Sequence, residues 1–206
     1  MKPNVRSLLP LVALLSLPLA SPSVAWAKET AESKRLMKLR DSERYEVAKP
    51  KVSIKAGGAR ITVKAPRDAV EKIVLDFRHY EKFISRFEKS KVVGRDGDKT
   101  DVYLEVPILK GAAKIWAVVR FEPPKQLDDD TKIVVGRMVK GNVKRLDAEW
   151  RIMRIDDENT QLNLELLIVP TLPVPGSMVT GEVAYAADTA VTGSRNRAEK
   201  AQSKAK

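Results

Sequence analysis

The only imidazole in the 206-residue chain is that of His79, and the chain has no cysteine. Without a thiol there can be no disulfide framework, no iron–sulfur cluster, no cysteine zinc site and no thiol nucleophile. A hydrolase triad would need His79 beside an activated nucleophile and an orienting acid, and no Gly-x-Ser-x-Gly elbow accompanies it. His79 stands in Arg78-His79-Tyr80 at a helix junction, which fits a surface or hydrogen-bonding structural role. Glycine signatures for phosphate loops or dinucleotides are absent. Asp128-Asp129-Asp130 and Asp156-Asp157 lack the ligand spacing of a calcium loop and read as solvated turns. The residues therefore point to no metal, no cofactor and no catalytic constellation.

These side chains must be positioned by one domain, since the length and the 43% apolar content suit a single core. The first 27 residues have the parts of a secretory signal: Lys2 and Arg6, an apolar stretch from Leu8 to Ala20, and Ala25-Trp26-Ala27. Pro10 and Pro18 interrupt that stretch, which is shorter than the roughly 20 apolar residues of a spanning helix. Cleavage after Ala27 and delivery across the inner membrane to the periplasm are expected, with retention as an anchor as the alternative. The formal charge of +11 is unevenly spread. Residues 28–51 hold eight bases and five acids, residues 193–206 five and one, and the body between them 23 and 21. A nucleic-acid groove would concentrate its bases on the folded body, so no nucleic-acid partner is expected. Basic tails suit solubility and transient contact with a membrane surface.

Residues 28–50 are dense in charge and predict a helical or disordered lead. Alternation around Gly57-Gly58 predicts a first strand from about Val52. Ala65-Pro66-Arg67-Asp68 opens a helix carrying Val70, Ile73 and Val74, and a second short helix holds Tyr80 and Phe83. About six strands follow, punctuated by Asp96-Gly97, Pro123-Pro124, Gly141-Asn142 and Asp156-Asp157. Pro170 to Pro175 leads into a C-terminal helix from about Gly176 to Lys200, with residues 201–206 as a basic tail. The fold class is α+β: a curved antiparallel sheet of about seven strands around a long C-terminal helix, with two short helices after the first strand, spanning residues 51–200.

One sheet face is apolar and the other wet, as in an antiparallel sheet. Parity turns Leu104, Ile115, Ala117 and Val119 inward, together with Trp150, Ile152, Leu164 and Leu166. The helix answers with Val183 and small neighbours, Ala187, Ala190 and Val191, which leave volume for a cavity. Met178, near Pro173 and Pro175, borders its mouth, where a thioether adapts to irregular ligands. Arg137 and Arg154 break the parity. A buried unpaired guanidinium is too costly, so each must reach a rim, an acid or a polar ligand head, unless a bulge shifts the register.

The combination resembles the START-like, helix-grip superfamily that includes polyketide cyclases and coenzyme Q-binding proteins. The likeness is carried by Val63-Lys64-Ala65-Pro66, by Asp76 to Phe83, by Glu149-Trp150-Arg151, and by Leu164 to Pro175 with the closing Asn196-Arg197-Ala198-Glu199. It implies a deep apolar pocket between sheet and helix for a lipid, sterol, isoprenoid or polyketide-like molecule, and a role in carriage or transfer. Two other readings stay open. A cyclase- or aromatase-like enzyme would place Arg137, Arg154, Tyr103 or His79 inside the cavity, and an envelope interaction module would expose apolar surface around Trp116.

Overall fold

The computed structural model describes residues 23–39, 41–108, 113–171 and 173–205. Residues 1–22 of the expected signal lie outside these; Ser23 to Ala27 begin helix α1 (Ser23–Lys38). Nine strands follow: β1 (Glu43–Val47), β2 (Ala56–Val63), β3 (Lys89–Asp96), β4 (Lys99–Ile108), β5 (Ala113–Phe121), β6 (Lys125–Gln126), β7 (Thr131–Gly141), β8 (Arg145–Arg154) and β9 (Thr160–Val169). Between β2 and β3 come helix α2 (Arg67–Val74), a 3-10 turn (Phe77–His79) and helix α3 (Tyr80–Phe83), and helix α4 (Gly176–Ala205) closes the chain. The sheet order is β1-β2-β9-β8-β7-β5-β4-β3, with β6 on β7. Every pairing is antiparallel.

The expected α+β helix-grip architecture is present, with three differences of detail. The charged lead holds a helix and also strand β1, because Tyr45 lies flat over Gly58, where any Cβ would meet its ring. The first expected strand begins at Ala56, since residues 48–55 form a loop around Pro50-Lys51, with Lys51 at a φ of 61°. Helix α4 continues through the expected tail to Ala205.

Helix α1 sits on the outer sheet face. It buries Leu36, Ser33 Oγ donates to Gln161 Oε1 at 2.7 Å, and Glu32 pairs with Arg60. Helix α4 covers the inner face. Its backbone reaches β2 because Gly57 has no side chain: a Cβ there would lie 2.3 Å from the Ala184 nitrogen. Thr180 Oγ1 donates to Lys55 O at 3.1 Å near the start of α4. Near its end Arg197 pairs with Asp76 at 2.8 Å, and Glu199 accepts the Lys64 N–H at 2.9 Å. The grip therefore has two distinct ends. Loops 48–55 and 142–144 and residues 170–171 and 173–175 lie with the N-terminus of α4; loops 64–66, 122–130 and 155–159 lie with its C-terminus.

Candidate ligand-binding interior

Pairing register sets the inner face residue by residue. Leu104 faces Ala117, Val102 faces Val119, Val134 faces Trp150, and Trp150 in turn faces Leu164. Leu104, Ala117, Val119, Trp150, Ile152 and Leu164 are all buried, and Val183 is buried on the helix. Ile115 and Leu166 share this face but are only half-buried and pack at the margin of the core. Met178 is 61% exposed at the start of α4.

Arg137 is a correction to the expected set. Val134 and Gly136 take the inner side of β7, so Arg137 projects outward opposite Asp147, to which it pairs at 3.7 Å. The sequence signal for its inward neighbour, Met138, was available in the same parity once Val134 is taken as core. Met138 packs against the core, as do Ile168 and Phe87.

Burial is graded along the grip. At the α4 C-terminal end Val63, Val102, Val119, Ile152 and Leu162 are inaccessible, and Phe77 stacks on Phe121 with centroids 4.5 Å apart. At the α4 N-terminal end Val106, Ile115, Met138, Leu166 and Ile168 are half-buried. Helix α4 lies against β1, β2 and β9, whereas the inner faces of β4, β5 and β7 stand farther from its backbone.

Several polar groups near the interior have partners, whereas Ser194 Oγ on α4, fully buried, has none. Tyr80 Oη donates to Val74 O, and burial pushes its pKa up. Thr160 Oγ1 donates to Ala65 O at 2.7 Å, and Ser90 Oγ bonds Phe77 O. Among the described residues the one buried charged side chain is that of Glu105, which lies on the outer face beside Tyr103. None of Arg137, Arg154, Tyr103 and His79, any of which would favour an enzyme if inside, is buried in the core. Arg154 pairs with Asp130 at the sheet margin through Nε at 2.8 Å, and His79 Nδ1 bonds Asp76 at 2.6 Å on the surface. Tyr103, on the outer face, donates to Glu105 at 2.5 Å and stacks on Trp116. That contact leaves Trp116 half-buried rather than in an exposed patch. Among the described residues no group of three side chains could hold a metal ion, and Asp128 and Asp156 close turns by accepting backbone N–H groups.

Two concavities of the surface are polar or mixed. One, of about 280 Å³ on the outer face, is bordered by Glu32, Tyr45, Arg60, Arg151, Gln161 and Glu165. Its charges are largely paired, Arg60 with Glu32 and Glu43 and Lys49 with Glu165, and burial raises the Tyr45 pKa to about 12. The other, of about 330 Å³, lies beside Asp76, Phe77, Arg95 and Pro123.

The family described as "Polyketide cyclase / dehydrase and lipid transport" matches residues 63–191, more than half of the chain. No curated protein matches in sequence. Several solved structures share the fold at low identity. A START superfamily protein from Mycobacterium smegmatis is 18% identical, with a TM-score of 0.62 over 70% of this chain and 97% of its own. A STAR-related lipid transfer protein from Xanthomonas axonopodis is 14% identical, with a TM-score of 0.66 over 78% and 94%. Human StAR-related lipid transfer protein 5 is 9% identical, with a TM-score of 0.65 over 86% and 96%.

Proposed function

The chain belongs to the polyketide cyclase / dehydrase and lipid transport family, and from that premise we propose that it shelters one apolar molecule between sheet and α4 and carries it between sites. The observation that carries this reading is the graded inner face. It is predominantly apolar, the one buried charged side chain among the described residues, Glu105, stands on the outer face, and it is loosest where Val106, Ile115, Met138, Leu166 and Ile168 meet the α4 N-terminal end. Burial of cargo there is worth about 25 cal/mol per Å² of apolar surface. A lipid, sterol, isoprenoid or polyketide-like molecule has the required surface, and polar groups at the opening would orient it.

Export to the periplasm belongs to the same proposal. A cut after Ala27 would leave Ser33 and Leu36, the buried residues by which α1 seats on the sheet, with the domain. No helix among the described residues is long and apolar enough to cross a membrane. The test is transfer of a fluorescent long-chain lipid from donor to acceptor vesicles, with N-terminal sequencing of the exported protein. Saturable transfer and a mature chain beginning at Lys28 are expected; an inert protein in the transfer assay refutes carriage.

A further inference from the structure

The basic C-terminal tail is a poor place for membrane contact. Helix α4 has 30 residues and so runs about 45 Å, which puts Lys200 and Lys204 far from its N-terminal end, where the inner face is least buried. Arg197 is tied down by Asp76. The α4 N-terminal end, where the inner face is least buried, carries bases of its own. Many of its cations are paired: Lys49 with Glu165, Lys55 with Glu46, Arg86 with Glu182, and Lys114 with Glu88. Lys51, Lys140 and Lys144 are exposed, and among the described residues they meet no carboxylate. Lys51 tips its loop in a left-handed conformation that ordinarily favours glycine.

Exposed apolar side chains accompany these lysines. Val139 is 53% exposed where a register shift interrupts the β5–β7 pairing, and Val174 and Met178 are exposed on the approach to α4. Thr171 Oγ1 donates to Asn142 O at 3.2 Å, so the segment leading to Val174 lies beside the β7–β8 turn that Lys140 and Lys144 flank. These apolar groups protrude from separate segments, and lysine is depleted at protein–protein contacts. Isolated aliphatic tips ringed by strongly hydrated ammonium groups suit a bilayer of negative headgroups.

We infer that this end is a docking face for an anionic membrane, with Val139, Val174 and Met178 entering the lipid and Lys51, Lys140 and Lys144 meeting headgroups. The inference rests on the carrier reading only for the use that docking would serve; its test does not involve cargo. Because the chain has no cysteine, Met178→Cys and, at the opposite end, Leu127→Cys can each carry a single environment-sensitive NBD label. With vesicles of phosphatidylcholine plus phosphatidylglycerol, the label at 178 should shift to the blue and the label at 127 should not. Each lysine contributes about fivefold in binding, so combining Lys51→Gln, Lys140→Gln and Lys144→Gln should weaken it on the order of a hundredfold. Combining Lys200→Gln and Lys204→Gln should leave it unchanged. Absence of binding, an equal shift at 127, or greater loss from the tail pair than from the triple variant overturns the inference. A protein that docks yet transfers no lipid supports the docking face and refutes carriage; transfer with the label at 178 still in water does the reverse.

Discussion

Gly57→Ala tests how closely α4 is seated. The added Cβ would stand 2.3 Å from the Ala184 nitrogen and 2.9 Å from Thr180 O, both backbone atoms of the helix. Ordinary contact begins near 3.4 Å, so helix and strand must part by about 1.1 Å at that point. Overpacking of this kind costs about 1–3 kcal/mol, and in a domain of this size each kcal/mol lowers Tm by about 2–4 °C. Gly181 supplies the internal control, since it lies on the same helix with nothing within 4 Å of its Cβ position. Gly181→Ala should raise stability by about 0.5–1 kcal/mol through helix propensity alone. Thermal unfolding of both variants beside the parent chain is sufficient. If Gly57→Ala is as stable as the parent, the close seating of α4 on β2 is wrong.

Leu166→Arg puts an unpaired charge at the half-buried margin of the inner face and should reduce lipid transfer by roughly tenfold or more; unaltered transfer would place the cargo elsewhere. Arg137→Ala removes a group that faces Asp147 on the outside, and transfer should stay within about twofold, since an exposed ion pair contributes little. Trp150→Ala, at a side chain 2% exposed, should lower unfolding stability by about 3–5 kcal/mol in denaturant titration. Glu105 is held down to about 2, first by the hydrogen bond from Tyr103 and then by Lys89. A depressed carboxyl adds stability that is complete above its ordinary 4.5 and is lost as pH falls towards 2. Glu105→Gln should therefore flatten acid unfolding within that window, and an unchanged profile would contradict the assignment.

Period-two alternation made the sheet's inner face legible before any coordinates. Leu104, Ala117, Val119, Trp150, Ile152 and Leu164 follow directly from it, because one sheet face must be dry and the other wet. Arg137 was misplaced because Ile133, Val134 and Val135 are all apolar, so β7 gives no parity of its own; pairing with Trp150 and Ala148 decides it. Strand β1 was hidden for a different reason. Its stability comes from Tyr45 lying on Gly58 and from Glu43 with Arg60, contacts that no local pattern announces. The approach to α4 was legible in Pro173, Pro175 and Met178, whereas how closely that helix seats on β2 depends on the missing side chain at Gly57, which no periodicity announces.

Native mass spectrometry of the protein isolated from its own compartment, with extraction of anything released, addresses carriage most directly. A single apolar molecule bound at one per chain, and displaced by Leu166→Arg, is the predicted result. A protein that emerges empty and takes up nothing from lipid vesicles would contradict the account.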